Sequence, residues 1–278
     1  MTLEVCRADD KLRSDAAGVV HEPTRESPRI VSLVPSLTEL LCDLGLAAQL
    51  VGRTGFCIHP RAVVRTIPKV GGTKSVNLAR LRELAPTHVI VNIDENEKPT
   101  VDAIARFVPH VIVTHPLTPR DNIALYHLFG AIFRRGAEAA ALADRFEQAW
   151  NESWHRTHAL PREKVLYLIW RKPWMTVART TYISATLAAV GWDTLPEVAT
   201  ERYPAIALET VLAADVTRLL LSTEPYRFRE RDVPELVHIV PPHVTVSLID
   251  GEMTSWYGSR AIDGLRYLAQ FRQRLASV

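Results

Sequence analysis

The most constraining feature of this sequence is a repeated alternation of short β-branched runs with helical patterns. Residues 29–35, 87–92 and 110–114 are apolar runs with the length of strands that are buried on both faces. Strands that alternate with helices form parallel sheets through right-handed crossovers. Beyond Pro161 the same alternation returns, with strand patterns at 164–170, 218–222 and 244–249. The sequence therefore predicts an α/β protein with two parallel sheets.

A long segment without proline separates the two series of strands. Between Asp121 and Thr157 apolar residues recur at helical spacing, which predicts one long helix, or two with a kink near Gly136. We therefore predict two Rossmann-like lobes, at 29–120 and 159–278, joined by one long backbone helix at 121–158. Residues 1–28 mix charges, prolines and small residues without periodicity, which predicts a flexible N-terminal extension.

Composition excludes several classes of function. Lys and Arg (33) nearly balance Asp and Glu (31), so the chain lacks the basic excess of a nucleic-acid binder. It has no uncharged apolar run of about 18 residues, so no transmembrane helix is expected. Its three cysteines are odd in number and widely spaced, and no secretory signal pattern precedes Ser27. We therefore expect a cytoplasmic protein with reduced thiols.

Candidate binding residues gather where the predicted strands end, which is where open parallel sheets bind ligands. Ser36 follows the first strand and also begins a predicted capping box with Glu39. The candidate ligand-binding residues of the first lobe are Pro35, Ser36, Phe56, Cys57, His59, Glu95, Asn96 and His115. Those of the second lobe are Trp170, Arg171, Trp174, Glu252, Trp256 and Tyr257.

The segment Gly-Phe-Cys-Ile-His-Pro at 55–60 allows three interpretations. Thiolate and imidazole two positions apart suit a metal, which makes Cys57 and His59 candidate metal ligands, with His59 favoured as an axial partner of a chelated metal. A nucleophilic Cys57 requires His59 as its base, in a loop geometry that the spacing does not specify. The third interpretation is a turn in which Pro60 fixes the backbone and Phe56 packs.

The aromatic residues of the second lobe are the other distinctive group. Trp170, Trp174 and Trp256 lie at strand ends beside charged residues, whereas most tryptophans lie inside a core. Aromatic faces with a few polar groups suit a flat or bulky organic ligand, bound in a cleft between the lobes. Arg171 or Lys172 is then a candidate partner for carboxylates or amides on the rim of such a ligand.

Several motifs together resemble a known family. Residues 29–39, read as RIVSLVPSLTE, are followed by Leu44-Gly45, then by PKVGGT at 68–73 and LAPTHVIV at 84–91. This pattern resembles the class III solute-binding proteins of metal-chelate uptake, also called helical-backbone metal receptors, and the likeness extends over about 29–275. It implies two lobes joined by a rigid helix and a ligand such as cobalamin, haem or a siderophore.

The resemblance also implies a protein partner. Members of this family dock onto the permease of an ABC transporter through one glutamate on each lobe. Glu209, which opens a predicted helix, matches one of these glutamates, while Glu95 or Glu97 matches the other.

Three functions follow from these features. The first is a binding protein, not an enzyme, that takes a metal chelate between its lobes without a resident cofactor. The second is an enzyme that modifies such a chelate with Cys57 or His59. The third is a regulatory or scaffold receptor without a ligand.

Overall fold

The predicted strands form two parallel sheets, one in each of two compact units. The structure, a computed structural model, describes residues 11–212 and 215–276. Within that part the first unit comprises 11–116, 120–145 and 257–259. The second comprises 117–119, 146–212, 215–256 and 260–276. The predicted α/β class is confirmed, and no described helix is long and apolar enough to cross a membrane.

The first sheet is built from strands that are short and largely buried. They are β1 (Ile30–Ser32), β2 (Leu50–Arg53), β3 (His88–Asn92) and β4 (His110–Thr114). Their spatial order is β2-β1-β3-β4, and each neighbouring pair is parallel. Because parallel strands end at the same edge of a sheet, the loops after these four strands share that edge.

The helices of the first unit cover this sheet. They are α1 (Pro35–Asp43), α2 (Arg61–Val64), α3 (Leu78–Glu83), α4 (Lys98–Ala105) and α5 (Asp121–Ile132), with a 3₁₀ turn at Ala47–Gln49. The predicted capping box at Ser36 is wrong. Because proline suits the first helical turn, α1 already begins at Pro35 and Val34 takes the cap position. The buried Ser36 hydroxyl has no hydrogen-bond partner among the described residues.

The predicted backbone helix is two helices, as the kinked alternative anticipated. After α5 the chain turns at Arg134, whose φ of 55° is left-handed, and α6 (Gly136–Thr157) follows. A Cβ on Gly130 would lie 2.6 Å from the Cβ of Ala139, so the glycine lets the two helices approach closely. The boundary between the units falls inside α6, after Arg145.

The central strands of the second sheet are buried on both faces. Its strands are β5 (Glu163–Leu168), β6 (Trp192–Thr194), β7 (Arg218–Ser222) and β8 (Thr245–Ile249), in the spatial order β6-β5-β7-β8. Its helices are α7 (Tyr182–Ala188), α8 (Leu208–Leu212), α9 (Asp232–Val237), α10 (Gly251–Ser255) and α11 (Arg260–Ala276). Leu166 and Leu219 pack into one core cluster while Tyr167 and Leu220 pack into another, which explains the continuous apolar runs.

Part of the segment expected to be a flexible extension packs against the first unit. The backbone N–H of Ala16 donates to the Val113 carbonyl in β4, and that of Thr24 donates to Ile132 at the end of α5. Asp15 is buried, and its carboxylate accepts a hydrogen bond from the Val113 N–H at 3.0 Å. Residues 1–10 of the predicted extension lie outside the described residues.

Candidate functional site

The loop after β2 carries the segment Gly-Phe-Cys-Ile-His-Pro and turns its cysteine inward. Cys57 is fully buried, and its Sγ lies 3.0 Å from the Thr38 hydroxyl and 3.2 Å from that of Thr54. Burial raises the pKa of the thiol, so the thiolate is disfavoured. The structure thus contradicts Cys57 as a metal ligand, a ligand contact or a nucleophile, because the side chain serves as an anchor inside the core.

The residues next to Cys57 in the sequence are exposed. Phe56 is 63% exposed and Ile58 is 48% exposed, while His59 is half-buried. Another apolar residue, Ile93, is 50% exposed directly after β3. The sequence analysis identified Phe56 and His59 but missed Ile58 and Ile93. The sequence pattern that could have identified them is an isoleucine directly after the buried Cys57 in one case and directly after a strand in the other.

Asn96, a predicted ligand contact, instead holds three parts of this edge together. Its Oδ1 accepts from the Asn92 N–H at 2.9 Å, and its Nδ2 donates to the Thr73 carbonyl at 2.9 Å and to the Leu33 carbonyl at 3.4 Å. The side chain is buried. Since both ends of the amide are used within the protein, Asn96 is a structural clamp in this conformation.

Two carboxylates in the loop after β3, Glu95 and Asp94, each have a polar partner from another part of the first unit. The Tyr257 hydroxyl donates to a carboxylate oxygen of Glu95 at 2.5 Å. His115, partly exposed, has its Nε2 3.5 Å from Asp94 Oδ1. His115 therefore keeps its predicted place at the strand ends, and Asp94 is a neighbour that the sequence analysis did not identify.

Tyr257 belongs to a short segment, 257–259, that joins the first unit from the far end of the chain. The Gly258 N–H donates to Asn122 Oδ1 at 2.6 Å, and its carbonyl accepts from the Tyr126 hydroxyl at 2.9 Å. Gly258 has a φ of 80°, and a Cβ there would lie 3.2 Å from the Ser36 carbonyl oxygen. Pro35, Ser36 and Tyr257 are consequently buried in this packing and offer little surface to a ligand.

In the second unit a series of aromatic rings in contact with one another follows β5 and β7. Trp170 makes an edge contact with Tyr226 at 5.6 Å, and Tyr226 makes one with Phe228 at 4.7 Å. Phe228 stacks on Trp174 at 6.4 Å. Trp170 is 40% exposed, whereas Phe228 is fully buried. The series therefore runs from the core to the surface and ends at an exposed indole.

Arg171 is already engaged by carboxylates of the protein. Its guanidinium pairs with Asp232 and Glu235 and lies 5.5 Å from the ring centroid of Trp174. Hydrogen bonding to Glu235 raises the pKa of the guanidinium further. Because of these partners, Arg171 supports the aromatic series. It is not the free partner of a ligand carboxylate that we predicted.

Trp256 is buried, contrary to its predicted position at a ligand surface. Its indole N–H points between the two carboxylate oxygens of Glu224, at 3.1 and 3.2 Å, and Arg260 lies 4.8 Å from its ring. Arg260 also pairs with Glu252 at 3.0 Å. Burial raises the pKa of Glu224, because the charged carboxylate loses its contact with water. The hydrogen bond from the indole opposes this shift in part.

The glutamates predicted to dock a permease differ in exposure. Glu97 is exposed at the start of α4, and Glu209 is exposed in the first turn of α8. Glu95, the alternative to Glu97, is held by the Tyr257 hydroxyl. Within 11–212 and 215–276, no group of three histidine, cysteine or carboxylate side chains is arranged to hold a metal ion.

Comparison with known proteins places this architecture in context. A family model described as "Periplasmic binding protein" matches residues 30–233. A vitamin B12-binding protein of Pectobacterium atrosepticum is 22% identical over 190 residues, covering 66% of this chain and 67% of that protein.

Solved structures show the same fold. A periplasmic vitamin B12-binding protein of Vibrio cholerae aligns with a TM-score of 0.79 at 16% identity, covering 90% of this chain and 98% of that one. A periplasmic haem-binding protein of Roseiflexus sp. RS-1 aligns with a TM-score of 0.75 at 22% identity, covering 90% and 100% of the two chains. The two-lobe α/β architecture inferred from the alternation of strands and helices is therefore shared with these receptors.

Proposed function

Since the chain belongs to the periplasmic binding protein family, we propose that it is a receptor for a metal chelate and that it delivers this ligand to an ABC permease. The relatives named above bind vitamin B12 or haem. A corrinoid, a haem-like tetrapyrrole or a siderophore complex is accordingly the ligand class proposed for this chain. The metal arrives as part of the ligand, so the protein needs no metal centre of its own.

The observation that carries this proposal is the exposed apolar surface at the strand ends of the first unit. Phe56, Ile58 and Ile93 are each about half exposed or more, in loops that share one edge of the sheet. Large apolar side chains that are exposed together mark binding surfaces. The ring of Phe56 and the two aliphatic side chains suit the face of a large organic ligand.

The second unit supports the same class of ligand. Tyr226 and the buried rings behind it hold Trp170 in place, so its exposed indole is preorganised for stacking. That both units contact one ligand in a shared cleft stays a prediction.

His59 is the remaining candidate for contact with the chelated metal. It is half-buried in the same loop as Phe56, and an imidazole is a common axial ligand of a macrocycle metal. The enzymatic alternative loses its proposed nucleophile, because Cys57 is fully buried and its thiol pKa is raised.

For the permease contact we propose Glu97 and Glu209. Both carboxylates are exposed at the starts of helices, whereas Glu95 is bound by Tyr257. The cytoplasmic location expected from the sequence stays a prediction. Cell fractionation against cytoplasmic and membrane markers tests it.

A titration followed by visible absorbance tests the proposed ligand class. Purified protein is titrated with cyanocobalamin, hemin and a ferric hydroxamate siderophore, and each mixture is also melted. We expect a saturable spectral change and a raised Tm with one of the three. If none gives either change, the proposal of a metal-chelate receptor is refuted.

Three single variants then locate the site. Removing a buried aromatic contact costs about 1.5–3 kcal/mol, so Phe56→Ala and Trp170→Ala should each weaken binding about 10- to 150-fold. Trp154→Ala is the matched control, because Trp154 is 51% exposed on α6, away from the strand ends. Equal weakening by the control would show that the ligand binds elsewhere.

A further inference from the structure

A cluster of imidazoles lies at the opposite end of the first sheet from the candidate site. His88 and His110 are cross-strand partners at the starts of β3 and β4, and their rings stack at 4.7 Å with an angle of 20°. The ring of His21, from the N-terminal segment, meets His110 edge-on at 6.4 Å. Three titratable rings from three parts of the chain therefore lie side by side.

The segment that contributes His21 is attached to β4 by a backbone hydrogen bond from Ala16 to Val113 and by the carboxylate of Asp15. Asp15 accepts hydrogen bonds from the Ala17, Val19 and Val113 N–H groups, and its other contact is His21 Nε2 at 3.0 Å. β4 is an edge strand of the sheet, so residues 13–21 cover backbone groups that would otherwise face water or another strand.

We propose that this histidine cluster is an acid-sensitive latch, which releases the segment 13–21 from the edge of β4 when the pH falls. The stacked geometry of His88 and His110 is compatible with two neutral rings but not with two imidazolium ions. Protonation therefore favours an opened state in which both rings reach water. Local opening of a short surface segment costs less free energy than unfolding of the unit, so the segment yields first.

The charged groups around the cluster contact the N-terminal segment and its flanks. Arg13 donates to the His21 carbonyl and pairs with Glu22, and Arg134 donates to the Thr24 carbonyl. Asp15 is the carboxylate that pairs directly with the cluster, and it faces His21, not the stacked pair. The apolar ring of Phe133 makes an edge contact with His88 at 5.3 Å.

The direction of the pH dependence follows from the two stacked histidines. Burial, followed by repulsion from the neighbouring imidazoles, lowers the pKa of His88 from 6.5 to about 4, and burial also lowers that of His110. The opened state thus binds protons that the closed state excludes, and closure weakens as the pH falls from 6.5 towards 4. The pKa of Asp15 is lowered below 3.8, so this carboxylate stays ionised throughout that range.

Hydrogen exchange of the full chain measures the latch. If opening restores the ordinary pKa of His88 in full, the two pKa values give up to about a 30-fold loss of closure between pH 7.5 and pH 5. We expect amides 15–19 to lose protection by up to that factor, after correction for the intrinsic pH dependence of exchange, while α11 keeps its protection. Unchanged protection of 15–19 over this range, or equal loss in α11, would overturn the proposal.

Two variants separate the histidine cluster from other acid effects. His88→Phe removes the imidazole for which the loss was calculated, keeps a stacked ring in its place, and should reduce the loss of protection to a few-fold. If His88→Phe opens the segment at every pH, His110→Gln removes the neighbouring imidazole instead and should reduce the loss in part. His155→Gln, at an exposed site on α6, is the control and should behave like the wild type. The same 30-fold loss in both cluster variants would refute the latch.

Discussion

Replacing Asn96 by alanine distinguishes a structural clamp from a ligand contact. The substitution deletes two hydrogen bonds of 2.9 Å and leaves the Asn92 N–H, which is buried, without its acceptor. An unsatisfied buried donor costs about 1–3 kcal/mol, and the lost bond to Thr73 adds about 0.5–1.5 kcal/mol. We therefore expect Asn96→Ala to lower the free energy of unfolding by about 2–4 kcal/mol.

Urea denaturation at pH 7, followed by circular dichroism, measures this loss. The slope m should stay unchanged, because the folded and unfolded states expose the same surface as before. Asn151→Ala is the matched control: Asn151 is exposed on α6, so this variant should stay within about 0.5 kcal/mol of the wild type. A loss below about 0.5 kcal/mol for Asn96→Ala, together with a tenfold weaker affinity for the chelate, would refute the clamp.

Three further predictions test other parts of the structure. Because the pKa of Glu224 is raised, its carboxyl group stabilises the folded state less as the pH rises above 4.5. The free energy of unfolding of Glu224→Gln, measured by urea denaturation, should therefore rise relative to that of the wild type between pH 4 and pH 7. A difference between the two proteins that does not change with pH would contradict this sign. Cys57 should react with iodoacetamide only after denaturation, as mass spectrometry can establish, and rapid native labelling would show that it is not buried. Glu97→Lys and Glu209→Lys should each abolish crosslinking to the host permease while Asp144→Lys, an exposed control on α6, does not; retention of crosslinks in both variants would remove these docking sites.

The fold could be predicted from the sequence because its strands are nearly continuous apolar runs. The runs at 87–92 and 110–114 correspond to β3 and β4 within one residue at each end. What the pattern did not specify was the start of α1, where the fixed φ of Pro35 overrides the serine cap, and the turn between α5 and α6, where Arg134 takes a left-handed φ.

The candidate site could be placed only in part. The sequence predicted which residues follow the strands, but whether each side chain turns inward or outward depends on partners that are distant in sequence. Cys57 turns inward because the hydroxyl of Thr38 lies beneath it, and Asn96 does so because the Thr73 carbonyl lies within reach. The buried Trp256 donates its indole N–H to Glu224, 32 positions away. No local pattern encodes these contacts.

The hydrogen bonds of Gly258 also have a consequence for the order in which the chain folds. Asn122 and Tyr126 leave the ribosome long before their partner, which is 136 positions after Asn122. Synthesis from the N-terminus usually lets early regions fold first. Here the first unit gains its final hydrogen bonds only after almost all of the second has been made. A nascent chain stalled at Arg145 is therefore expected to hold an incomplete first unit, more open to proteases than the finished one.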